Sequence, residues 1–121
     1  MLKIFDKAQW HIDAGEDPTN VILKMKAVLL FLNSKGMLAS EGQEILDLGV
    51  DSSVSIHERM VTEEGKKFME ACYDNVINKN ADQISGALDK EYRTFVGVGS
   101  SQPYFVGNNG PFFVGKLGAN Q

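Results

Sequence analysis

The chain has 121 residues, 43% of them hydrophobic and 23% charged, with a formal net charge of −4. That is the size and usage of one globular domain able to bury its own core, and it tells against disorder along the chain as a whole. The negative balance offers no general cationic field for nucleic acid or anionic lipid, and a single cysteine, Cys72, permits no intrachain disulfide.

The elements follow in chain order. Residues 5–13 can form a short helix with Phe5, Ala8 and Ile12 on one face, ended by Gly15. Trp10 falls off that stripe, so its indole is either covered by another segment or used for binding; cover is the expectation, since tryptophan is highly buried on average. Asp17-Pro18 is a helix start: the carboxylate accepts from free backbone N–H groups, and proline at the first helical position wastes no donor. This helix is predicted over 18–35, with Gly36 as its stop. Its apolar stretch, 21–32, is broken by Lys24 and Lys26 and is shorter than the ~20 residues a bilayer span requires, so it reads as a core helix. Val21, Met25, Val28, Leu29 and Leu32 form one apolar stripe; Leu23, Ala27 and Leu30 form a second on the opposite side, which predicts a central helix covered on both sides.

Two later segments share a pattern. Met37-Leu38-Ala39-Ser40-Glu41-Gly42 and Met60-Val61-Thr62-Glu63-Glu64-Gly65 each give an apolar pair, a helix start, Glu-Gly, and then core residues (Ile45 and Leu46; Phe68 and Met69). The shared pattern reads as a common way to begin an amphipathic helix after an extended residue. Ser40 and Gln43 have capping-box spacing, and Thr62 is the predicted N-cap of the second helix, with Glu63 and Glu64 favourable at its positive end. Helices are expected over 40–48, 63–79 and 81–93. The stretch between the first two, 50–57, alternates weakly and fits a short strand or a capped turn. The predicted core comprises Val21, Met25, Val28, Leu29, Leu32, Ile45, Leu46, Phe68, Met69, Cys72, Val76, Ile84 and Leu88, which makes Cys72 structural.

After Phe95 the composition changes. Residues 96–121 hold six of the 12 glycines and one charged side chain, Lys116. Pro103-Tyr104-Phe105-Val106-Gly107 and Pro111-Phe112-Phe113-Val114-Gly115 are near copies separated by Asn108-Asn109-Gly110, a favourable hairpin turn. This tail reads as a β-hairpin or extended arm, either packed on the helical part or pairing with another chain.

No catalytic signature stands out. Gly97-Val98-Gly99-Ser100-Ser101-Gln102 lacks the third glycine of a dinucleotide fingerprint and the Gly-Lys-Ser/Thr of a phosphate loop. His11, Asp13, Glu16 and Asp17 supply ligand types suited to a divalent metal, although helix capping accounts for Asp17 without one. His57, beside Glu58 and Arg59, reads as a solvated loop. The order from 21 to 79, an apolar helix, a short helix near Ser40, an alternating stretch and then Arg59-Met60-Val61-Thr62-Glu63-Glu64-Gly65-Lys66-Lys67-Phe68, resembles the wing and following helix of bacterial winged-helix regulators. In the place of their recognition helix, 40–57 carries Glu41, Glu44, Asp47 and Asp51 and no lysine or arginine, whereas phosphate contacts need cations.

The reading is a mainly α domain of about five helices over 1–95, with a Gly/aromatic tail over 96–121. The expected function is a small acidic protein-binding module of inhibitor, immunity or regulatory type, acting without catalysis or cofactor. Its candidate contacts are Trp10, Tyr104, Phe105, Phe112 and Phe113, and its partner a protein or a second copy through the tail. A winged-helix regulator and a metal enzyme using His11, Asp13, Glu16 and Asp17 are the alternatives. Cysteine usage and an acidic rather than basic opening place the chain in the cytoplasm, with no membrane partner.

Overall fold

In the computed structural model, which describes residues 2–99, the chain begins with a strand, β1 (Ile4–Lys7), where the sequence predicts helix. β1 pairs antiparallel with β2 (Ser55–His57), in the register Ile4 to His57, Asp6 to Ile56 and Lys7 to Ser55. Phe5 is the extra residue of a bulge, and the bulge lets two successive side chains, Phe5 and Asp6, both turn inward. Partner strands distant in sequence thus override a local helical pattern. Helix α1 is correspondingly shorter, Ala8–Asp13, yet Phe5 and Ala8 are buried and Ile12 packs against the core.

Helix α2 (Pro18–Ser34) starts as the sequence indicates: Asp17 Oδ2 accepts from Asn20 N at 3.1 Å. Gly36, at φ 70°, follows its end. Val21, Met25, Val28, Leu29 and Leu32 are fully buried. The second stripe differs from expectation: Leu23 is 52% and Leu30 48% exposed, so nothing among the described residues covers that side. Helix α5 (Ile84–Gly99) and helix α4 (Glu63–Cys72) pack on α2 instead through an aromatic cluster on its buried face. Phe68 lies at its centre, with ring centroids 6.0 Å from Phe31, 5.8 Å from Tyr92 and 5.4 Å from Phe95. Lys35 Nζ sits 5.0 Å from the Tyr92 ring centroid.

Helix α3 (Ser40–Leu48) and α4 begin in a mutually paired way that explains their shared sequence. Leu38 and Val61 form an antiparallel bridge, Ala39 N donates to the Met60 carbonyl and Thr62 N donates to the Met37 carbonyl, both at 2.9 Å. Each pattern's glycine then rests on the carbonyl of the other pattern's methionine. A Cβ on Gly42 would lie 2.5 Å from Met60 O, and one on Gly65 would lie 2.6 Å from Met37 O. The two copies are therefore related by an approximate two-fold exchange of contacts. Thr62 caps α4 through Gly65 N at 3.1 Å, but Ser40 makes no such cap; it is the first residue of α3, after Ala39.

Three further expectations are corrected. Ile45 and Leu46 pack against the core half-buried rather than within it, because α3 lies at its edge. The helix predicted over 63–79 ends at Cys72 and passes into one 3₁₀ turn, Tyr73–Asn75. The last helix starts at Ile84 and continues through Gly99, beyond the predicted end at 93. Residues 100–121, including Tyr104, Phe105, Phe112 and Phe113, lie outside the described residues. No helix among the described residues is long and apolar enough to cross a membrane.

Cys72 is buried at 7% exposure, and burial first, then the Glu91 carboxylate, pushes its thiol above the ordinary range. Native protein is expected to resist a thiol reagent until denaturant is added, as judged by mass shift; rapid native labelling would contradict a structural role.

Candidate functional site

Polar and charged side chains are rarely buried, yet Asp6, His11 and Lys24 are 0%, 6% and 1% exposed. The β1 bulge turns Asp6 inward, beneath α1. Its carboxylate accepts from Lys7 N at 2.8 Å and from Tyr73 Oη at 2.5 Å, and lies 2.8 Å from His11 Nε2. Burial first, then the charge of Asp6, pushes the Tyr73 hydroxyl far above the ordinary tyrosine range, so it stays a donor.

The other imidazole nitrogen, Nδ1, faces Glu16 Oε2 at 2.9 Å. Gly15 makes this possible: at φ 97° it turns the chain so that Glu16 N bonds back to the His11 carbonyl at 3.0 Å. Each ring nitrogen of His11 thus lies within hydrogen-bonding distance of a carboxylate oxygen, which fixes the plane of the imidazole between Asp6 and Glu16. Lys24 reaches the same region from α2, and its Nζ donates to the Ile77 carbonyl just before α5. Burial lowers its pKa, opposed by the charges of Glu16 and then Asp6. The chain Tyr73–Asp6–His11–Glu16, with Lys24 beside it, ties β1, α1, α2 and the segment after α4 together.

This arrangement redraws the predicted metal cluster. His11 and Glu16 do meet, but Asp13 turns to Gln9 Nε2 at 2.8 Å and Asp17 caps α2. The carboxylates that join His11 stand on opposite ring nitrogens and so cannot converge with it on one ion. Among the described residues no group of three or more His, Cys, Asp or Glu could hold a metal. An Asp–His pair could move a proton only with its second nitrogen free, and here Glu16 occupies it. Sequence reasoning misses Asp6, Lys24 and Tyr73. Asp6 and Lys24 interrupt apolar runs, and that interruption is the signal the residues offer.

The surface carries other candidates. Trp10 is 50% exposed on α1, and the aromatic tail that is its natural cover lies outside the described residues. His57 is not a solvated loop residue: it ends β2, with Nε2 3.3 Å from Glu41 Oε2. Leu48, at the end of α3, is 85% exposed. Comparison with family models, with characterised proteins and with solved structures returns no match.

Proposed function

We propose that this chain is a protein-binding module of inhibitor, immunity or regulatory type that acts without catalysis. The observation that carries this reading is the half-exposed indole of Trp10 on the outer face of α1. Tryptophan left in water is costly by the hydrophobic effect and is among the side chains that most often anchor a protein interface. The reactive side chains support the same view: Asp6, His11, Tyr73 and Lys24 are hydrogen-bonded, and Cys72 is buried in the core. For the winged-helix alternative, α3 would have to approach phosphates with Glu41, Glu44 and Asp47, which repel them.

The test is a photo-reactive residue in place of Trp10 in the full chain, expressed in the cells that make it. The expected result is one dominant adduct with a different protein, competed by the unmodified chain. Adducts confined to residues 100–121 of the same molecule, or a diffuse background without competition, would sink the proposal.

A further inference from the structure

Between α3 and the stretch that leads into β2 runs a groove of about 500 Å³, and its chemistry is one-sided. Val54 and Met60 are buried in its lining, Ile45 is half-buried and Leu48 stands at the rim almost fully in water. Glu41 and Asp51 border the same groove. The guanidinium of Arg59 is already engaged, with Nε 3.6 Å from Glu41 Oε1, and His57 Nε2 lies 3.3 Å from the other oxygen of that carboxylate. Asp51 accepts from Ser53 N at 2.9 Å and from Ser53 Oγ at 2.5 Å, bonds that hold its carboxyl below the usual carboxylate range and keep it ionised. Glu44, one helical turn from the lining residues Glu41 and Leu48 on α3, and Asp47 are at the surface and have no ion-pair partner among the described residues. Uncompensated negative charge around an apolar trough, with no lysine in 40–57, repels nucleic acid and acidic surfaces and attracts a chain of the opposite pattern.

Building on the protein-binding reading, we infer that this groove receives a basic segment of the partner protein, in which lysine or arginine alternates with aliphatic residues. The aliphatic side chains would lie against Leu48 and Ile45, displacing water from surface otherwise left wet, while the cations reach Glu44 and Asp51 at the rim. Rim charges steer and select, and the apolar trough supplies the residence time.

Binding of a short fluorescein-labelled peptide of alternating arginine and leucine to the full chain, read by polarisation, tests this. Two control peptides carry glycine in place of leucine or glutamate in place of arginine. The arginine–leucine peptide is expected to bind, more weakly as salt rises, and both controls to bind at least about tenfold less well. Leu48→Ser and Glu44→Lys change surface side chains, so the fold should survive, and each should weaken binding about fivefold or more. Leu30→Ser, on the exposed side of α2, should leave it unchanged. Equal binding of the arginine–glycine peptide, or indifference to Leu48→Ser and Glu44→Lys, would overturn the assignment in favour of diffuse charge attraction. A dimer of the unmodified chain that Leu48→Ser dissociates would overturn it in favour of a second copy. Should the peptide fail while the cross-link at position 10 still captures its partner, the groove assignment falls and protein binding stands; failure of both removes both.

Discussion

Gly42→Ala and Gly65→Ala are each expected to destabilise the protein by about 3 kcal/mol, the upper end of overpacking costs, or to prevent folding. The obstacle in each case is a main-chain carbonyl, Met60 O or Met37 O, less than 3 Å from the new methyl group. Such an atom cannot step aside as a side-chain end can, because the same segments carry the Ala39–Met60 and Thr62–Met37 hydrogen bonds. Gly86 is the internal control. It lies in the first turns of α5 with nothing within 4 Å of an added methyl group, so Gly86→Ala should leave stability unchanged or raise it by about 0.5–1 kcal/mol. Urea midpoints of the three variants decide the matter. Similar midpoints for all three would show that the reciprocal contact is slack.

Asp6→Ala should cost about 3–5 kcal/mol, since it removes a fully buried carboxylate and leaves the Tyr73 hydroxyl without its acceptor and His11 Nε2 without its partner. Asp6→Asn should recover only part of this, because one amide oxygen replaces the two carboxylate oxygens that Lys7 N, His11 Nε2 and Tyr73 Oη share. Tyr73→Phe is milder, about 1–2 kcal/mol, because only one bond is lost. Tyr73 also predicts a pH dependence. Its folded pKa is raised above the ordinary 10.0, so the stability linked to its neutral form is fully present below pH 10 and is lost as pH rises beyond it, when the unfolded chain ionises first. Melting temperatures from neutral to strongly alkaline pH should therefore fall more steeply for the unmodified chain than for Tyr73→Phe. Identical slopes would detach Tyr73 from the alkaline limb.

Legibility in the sequence follows the range of the interactions concerned. The start of α2 at Asp17-Pro18, its stop at Gly36 and the Thr62 cap rest on bonds between near neighbours, and each is legible from the residues alone. So is the buried stripe of α2, which local periodicity dictates. Residues 5–7 mislead because their strand is held by 55–57, some fifty positions away, and helical spacing cannot register a distant partner. The same bulge hides the candidate site: Asp6 in an open helix would face water, and only the strand turns it toward His11 and Tyr73. The Glu-Gly likeness is visible in the sequence, but its meaning is not, since each glycine answers to a carbonyl in the other copy. The exposed side of α2 escapes prediction for the opposite reason. An apolar stripe reports what a helix could bury, and which neighbour arrives is decided by the rest of the chain.

The exchange of contacts between the starts of α3 and α4 also bears on how the protein opens. Neither helix start is complete alone, because the Met37 carbonyl that seats Gly65 belongs to the segment leading into α3, and the Met60 carbonyl that seats Gly42 belongs to the one leading into α4. Releasing either segment exposes both glycine seats and breaks both cross-bonds at once. The amides of Ala39 and Thr62 should therefore trade hydrogen for deuterium in step, as one foldon with a single opening free energy, even though 23 positions of chain separate them.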